Sequence, residues 1–134
     1  MHCELGIADA PHPVHAICVH LSLTEQQRRK QIATLVELVE KAIPSDAALI
    51  IAGDFNDWRN RAEQGLAQRL GLTEAFTTDT GNPARSYPSK LPLLRLDRIY
   101  LRGFDVTHTK VHWGLPWSRI SDHAALTAEL TIRK

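Results

Sequence analysis

The run Ala48-Leu49-Ile50-Ile51-Ala52, closed by Gly53 and followed by Asp54-Phe55-Asn56-Asp57-Trp58, constrains this chain more than any other stretch. Five consecutive apolar residues with no polar alternation predict a strand buried on both faces, in the middle of a sheet. A glycine at its end lets the backbone leave tightly, so that Asp54 and Asn56, two residues apart, can both face the crevice beyond the strand's carboxyl end. Asp54, Asn56 and Asp57 are equally good turn formers and can cap a helix starting at Trp58. On these residues alone the ligand-site and turn readings stand side by side.

The flanking segments predict an α/β layered chain. His2–Ile7 and Val14–His20 read as a hairpin, joined by Ala8-Asp9-Ala10-Pro11-His12-Pro13, whose prolines forbid helix. Ser22 or Thr24 can cap a following helix, with Glu25 or Gln27 as capping-box partner. Ile32, Leu35, Val36, Val39, Ala42 and Ile43 recur at helical steps opposite Gln26, Arg29, Lys30, Glu37 and Lys41. With Pro44-Ser45-Asp46 as the stop, this gives a strand, a crossover helix and a parallel strand in a right-handed unit. Arg59–Leu70 is a weaker helix, with Leu66 and Leu70 inward and Gly71 as C-cap. Thr77–Ser89 reads as a long surface loop with a short extended piece at Arg85-Ser86-Tyr87.

Three further strands are expected, at Leu94–Leu101, Phe104–Trp113 and Ala124–Ile132, the last opened by Ser121-Asp122-His123. Asp97 shares a strand face with Ile99 and Leu101, so its carboxylate points inward and needs a partner. His123 is the natural candidate, because a carboxylate orients an imidazole and favours its protonated form.

The 134 residues carry a formal net charge of +1, which fits one globular domain and does not advertise nucleic-acid binding. Affinity for a phosphate substrate would have to come from the site itself. No apolar run is long enough to span a bilayer, and Met1-His2-Cys3-Glu4-Leu5 lacks the order of a signal peptide, so a cytoplasmic address is the expectation. Cys3 and Cys18 are too few for a disulfide scaffold and are expected to be buried thiols, with a bridge across the hairpin as the alternative. His2, His12, His15, His108 and His112 show no metal-ligand spacing along the chain.

Gly53-Asp54-Phe55-Asn56, Leu96-Asp97-Arg98-Ile99 and Ser121-Asp122-His123, in that order and before a final strand, resemble the endonuclease/exonuclease/phosphatase superfamily, the DNase I-like fold. Val19-His20-Leu21 is similar to the same family's strand-end histidine. The resemblance spans about His15 to Leu130, yet corresponds only to the carboxyl-terminal half of the family's domain. It implies half of a four-layer sandwich, a mixed sheet flanked by helices, and metal-dependent hydrolysis of a phosphodiester or phosphomonoester, usually with Mg²⁺ (or Mn²⁺). Nucleic acid is one of the implied substrates.

By that resemblance Asp54 would orient or deprotonate the attacking water, and Asn56 would steady water and phosphate. His123 would stabilise charge on the phosphoryl oxygens, Asp97 would hold its tautomer, His20 would hydrogen-bond the phosphate, and Asp122 would sit near the metal. The family's amino-terminal half supplies one sheet and the main metal-binding glutamate, for which nothing ahead of His2 is a counterpart. The expectation is therefore a fragment, a mis-started reading frame, or a sheet completed by a second chain, with an uncovered inner face inviting self-association. Three readings remain: a phosphoesterase, an inactive half-domain, and a module that holds phosphorylated ligands without turnover. Asp97 and His123 as a purely structural ion pair is the bland alternative. Trp113 and Trp117 are read as packing rather than as a substrate floor; Arg85, Tyr87 and Arg119 could contact phosphates, against which exposed arginines are mostly solvated.

Overall fold

A computed structural model of the chain describes residues 1–8, 12–61 and 63–133. Asp9–Pro11 of the hairpin connection expected at Ala8–Pro13, and Ala62 within the Arg59–Leu70 segment, lie outside the described residues. The buried run forms β3 (Leu49–Asp54), the middle of a five-stranded mixed sheet in the order β1-β2-β3-β5-β4. On one side it pairs in parallel with β2 (Val14–His20), which pairs antiparallel with the edge strand β1 (His2–Leu5). On the other side it pairs antiparallel with β5 (Asp97–Arg102), bordered by the two-residue β4 (Thr73–Glu74).

The crossover from β2 to β3 is α1 (Glu25–Ala42), whose Ile32, Val36 and Val39 are buried, with Ile43 just beyond its end. They pack with Leu49, Ile51, Phe55, Leu66, Leu70 and Tyr100 on one face of the sheet. Each such side chain contributes about 1.5–3 kcal/mol when fully buried. Ala42, expected on this inner face, is exposed. Thr24 occupies the cap position, but the capping box does not form. The Thr24 and Ser22 hydroxyls both donate to Gln27 Oε1, at 3.0 and 2.6 Å. The turn before the helix is held instead by buried Arg28, which donates to the carbonyls of Ser22 and Leu23 at 3.0 Å each.

The other face meets a hairpin of β6 (Phe104–His112) and β7 (Ala125–Ile132), a second, two-stranded sheet. Val14, Leu101, Phe104 and Phe76 form the core there, with Ile50, Ile99, Leu126, Ala128, Leu130 and Ile132 only partly buried. Along β7 exposed and half-buried residues alternate strictly, as in a strand covered on one side.

Several expectations need correction. Arg59–Leu70 is not one α-helix: a π-helical turn, Glu63–Ala67, leads into a single α-helical turn, α2 (Gln68–Leu70), although Leu66 and Leu70 are inward and Gly71 closes it in the left-handed region at φ 64°. Thr77–Ser89 is not all loop, because α3 (Ala75–Thr80) takes its first part. The helix exists because the Glu74 carboxylate accepts the N–H groups of Phe76 and Thr77, at 3.3 and 2.7 Å, while Ala75 and Phe76 enter the core. Ser86 and Ser89 are buried too, and Tyr87 makes an isolated bridge to Leu94, so β5 itself starts only at Asp97. Cys3 and Cys18 are free and exposed, not buried. Strand pairing places them on the face opposite α1, toward the β1 edge, where packing leaves them open.

Gly53 is required by contact rather than by an exit from the strand. Its φ is +139°, and a Cβ built there would lie 2.0 Å from the Val19 carbonyl oxygen on β2. Gly53→Ala is predicted to lower unfolding free energy by at least about 2 kcal/mol, measured by urea denaturation; a change within about 0.5 kcal/mol would contradict this packing.

Candidate functional site

Strand register alone assembles half of the site. His20 on β2 pairs with Asp54 on β3, and Asp54 pairs with Asp97 on β5, so three polar side chains stand in a row on one face at one end of the sheet. His20 Nε2 lies 3.5 Å from Asp54 Oδ2. The backbone fixes the corner beyond them: the Asp54 carbonyl accepts the Leu21 N–H at 2.8 Å, and the Leu96 carbonyl accepts the Phe55 N–H at 2.9 Å.

Asn56 then turns back on the row. Its backbone sits in the left-handed region at φ 49°, which asparagine tolerates better than most residues. That places its N–H 2.8 Å from Asp54 Oδ1, while its side-chain Nδ2 donates to the Leu21 carbonyl at 2.7 Å. The amide is thus buried and fixed, and Asp54 keeps Oδ2 toward the pocket.

His123 arrives from the segment before β7. Its Nδ1 is 2.8 Å from Asp97 Oδ2, and its Nε2 is 4.0 Å from Asp54 Oδ2. The Asp97 bond sets the tautomer, leaving Nε2 to face Asp54. Two neighbouring segments brace the pair. Buried Ser86 accepts the Asp97 N–H on its hydroxyl at 3.2 Å, and its carbonyl accepts the Ala124 N–H at 2.7 Å. Ser89 donates its N–H to the Asp122 carbonyl at 2.7 Å and its hydroxyl to the Ser121 carbonyl at 2.6 Å. The Tyr87 ring lies 5.2 Å from that of His123.

The charges are coupled. Burial is the largest influence on Asp54 and raises its pKa; the Asp97 charge adds to this, against the Asn56 N–H, His123 and His20. For His123 burial acts to lower the pKa, but the hydrogen bond and charge of Asp97, with the charges of Asp54 and Asp122, outweigh it, and the pKa is raised. Ionised Asp54 therefore costs the folded state something, whereas cationic His123 is favoured by it.

A pocket of about 470 Å³ opens over this row, lined by His20, Asp54, Asn56 and His123 together with Leu23, Trp58, Tyr87, Leu94 and Leu96. Its size suits a small ligand, and its polar groups converge on one wall. The sequence profile of the Endonuclease/Exonuclease/phosphatase family matches residues 2–123, nearly the whole chain and all of these groups. The chain belongs to this family.

Among individual relatives, the uncharacterized protein YbhP of Escherichia coli K12 is 40% identical over 130 residues, covering 97% of this chain and 51% of YbhP. The crystal structure of a functionally unknown conserved protein from Enterococcus faecalis V583 matches with a TM-score of 0.77 at 20% identity, over 94% of this chain and 53% of that one. D. rerio TDP2, solved with a single-strand DNA product, matches with a TM-score of 0.71 at 20% identity, over 97% and 60%. These likenesses show the DNase I-like fold. The chain spans about half the length of the curated relatives it matches.

Members of the endonuclease/exonuclease/phosphatase family typically use a divalent metal, and the donor set here fits one. Ligand atoms of Asp54, Asp97 and His123 lie within 4.8 Å of one another. Two of the three donors are carboxylates, and the burial and mutual repulsion that raise the Asp54 pKa are what a cation would relieve. Because Asp97 Oδ2 and His123 Nδ1 are spent on each other, the oxygen shell is thin, which suits an ion that keeps most of its waters. Among the described residues no helix is long and apolar enough to cross a membrane.

The remaining expectations divide. Asp122 is exposed and lines a neighbouring depression with Pro88, Lys90 and Arg119, outside the pocket and outside the three-residue group. Trp113 and Trp117 do not line the pocket; Trp117 packs against His112. The aromatic residues that do are Trp58 and Tyr87, and Leu23, Trp58 and Leu94 supply an exposed apolar wall that sequence reasoning missed. Ser86 was missed as well. Its only signal is a small polar residue within an extended stretch, which fixes neither its burial nor its partner.

In Asp97→Asn, removing the carboxylate charge leaves burial as the dominant influence on His123, so its pKa is predicted to fall below that of the wild-type chain. Histidine NMR titration checks this; an unchanged midpoint would show that Asp97 does not control the ring. The sign for folding follows: the stability from His123 is full below its unfolded pKa and fades as pH rises through the raised folded value.

Proposed function

We propose that this pocket hydrolyses phosphate esters with the help of a divalent cation, magnesium or manganese. The observation that carries the reading is the Asp97-oriented His123 imidazole facing Asp54 across the pocket, with His20 on the adjoining strand. Phosphoryl transfer asks a protein chiefly to position a nucleophile and to place positive charge where negative charge develops.

Asp54, fixed through Oδ1 by the Asn56 N–H, presents Oδ2 to orient or deprotonate a water. Asn56 steadies that corner and contributes to holding water and phosphate. His123, whose protonated form Asp97 favours, stabilises the phosphoryl oxygens through Nε2, and exposed His20 hydrogen-bonds the phosphate from the side. Asp97 is a positioning residue for His123. The cation would be held by carboxylate oxygens of Asp54 and Asp97, with Asp122 outside the pocket, and would supply charge neutralisation and an acidified water.

We further propose that these residues form the carboxyl-terminal half of a sandwich domain. Two observations support it: the half-length coverage of the curated relatives, and an inner sheet face whose Ile50 and Ile99 remain only partly buried. A covering sheet would come from more of the same polypeptide or from a second chain.

The substrate is a phosphodiester or phosphomonoester, nucleic acid among the candidates; the single-strand DNA product belongs to the TDP2 structure. A second reading, capture of phosphorylated ligands without turnover, is favoured by the thin oxygen shell.

Hydrolysis of bis(p-nitrophenyl) phosphate is predicted to require Mg²⁺ or Mn²⁺ and to fall by about 100-fold or more in Asp54→Ala and in His123→Ala. Turnover that survives chelation, or that both variants retain, would contradict the hydrolase reading. Phosphate binding without any turnover in the presence of metal would select the second.

A further inference from the structure

At the opposite end of β2, about 17 Å from His20 at the usual rise per strand residue, lies a second cluster of metal-binding side chains. Glu4 on β1 pairs with His15 on β2, and His2 stands two residues before Glu4 on the same face of β1. His2 Nε2 is 3.1 Å from His15 Nδ1, and His15 Nδ1 is 3.8 Å from Glu4 Oε1; all three ligand atoms lie within 4.8 Å of one another. The spacing along the chain hides this group, because His2 and His15 are brought together only by strand pairing.

We propose that His2, Glu4 and His15 form a second metal site, selective for a borderline transition-metal ion such as zinc, that clips the edge strand β1 to β2. Two nitrogens bound at about 2.05 Å to a tetrahedral ion stand about 3.3 Å apart, and a nitrogen and a carboxylate oxygen nearly the same. The imidazole pair meets that geometry within about 0.2 Å. The Glu4 carboxylate must move inward by about 0.5 Å, which a largely exposed side chain does freely.

One ligand is already fixed. His15 is 5% exposed, its ring is stacked against that of His2 at 5.3 Å, and its backbone N–H is bonded to the Ala48 carbonyl at 2.9 Å. The donor set decides the ion. Two imidazoles and one carboxylate suit zinc, nickel or copper and suit magnesium poorly, while the carboxylate-rich group around Asp54 has the opposite preference. Three protein ligands leave a fourth position for water. The consequence is structural: β1 is a four-residue edge strand whose residues are all exposed, and a metal tying two of them to buried His15 would fix it. This site does not depend on the phosphoesterase reading.

The test is titration of the full chain with Co²⁺, followed by its visible absorption, and with Zn²⁺, followed by calorimetry, both in excess Mg²⁺. One equivalent is expected to bind, with at least a tenfold loss of affinity in His2→Ala and in Glu4→Gln. Both substituted side chains are exposed, so the core is undisturbed. Zn²⁺ should raise the melting temperature of the wild-type chain and not of these variants, and Asp54→Ala should retain the equivalent. Absence of binding, binding unchanged in both variants, or binding abolished by Asp54→Ala would each overturn the proposal.

Discussion

The row His20, Asp54 and Asp97 exists because β3 lies between a parallel neighbour and an antiparallel one, in registers that bring three polar residues level. That arrangement depends on a close backbone approach. Gly53 passes the Val19 carbonyl where no side chain fits, so β2 and β3 remain paired through their last residues, and His20 reaches Asp54. The apolar run before it supplies the driving force, since Leu49 and Ile51 are fully buried beneath α1. Core and site are thus consecutive parts of one strand, the first made of residues that lose water on folding and the second of residues that need it.

Burying part of a carboxylate cluster is costly, and the fold offsets the cost locally. Asp54 receives a backbone N–H, Asp97 receives an imidazole, and the segment around Ser86 and Ser89 ties both the Asp97 strand and the Ser121–Ala124 segment to the same support. What is left uncompensated is negative charge facing the pocket. On the proposed reading a metal ion would neutralise that charge, while the imidazole, whose protonated form Asp97 favours, would meet the phosphate.

Much of this was legible in the sequence, for reasons that can be named. The unbroken apolar run fixed β3 as central, and the helical spacing of Ile32, Val36 and Val39 fixed the face of α1. Parity along Leu96–Leu101 put Asp97 inward with a need that His123 meets. The illegible parts depend on partners distant in sequence. Glu74 as a helix cap, Ser86 as a buried brace and the exposure of Cys3 and Cys18 all follow from tertiary placement rather than local pattern. The Thr24 capping box failed because Gln27 offered its side-chain oxygen to two hydroxyls at once. His2 and His15, thirteen residues apart, carried no spacing signal because antiparallel pairing, not helical or loop periodicity, joins them.

The central claim is that Asp54 and His123, the latter oriented by Asp97, line one phosphate-binding pocket with His20 at its side. The most direct measurement is the nitrogen chemical shift of His123 and His20 as inorganic phosphate is added in the presence of Mg²⁺. The account predicts saturable shifts at His123 Nε2 and His20 Nε2 with a common dissociation constant, and no matching change at His2 or His15. Shifts spread evenly over the histidines, or none at His123, would contradict it.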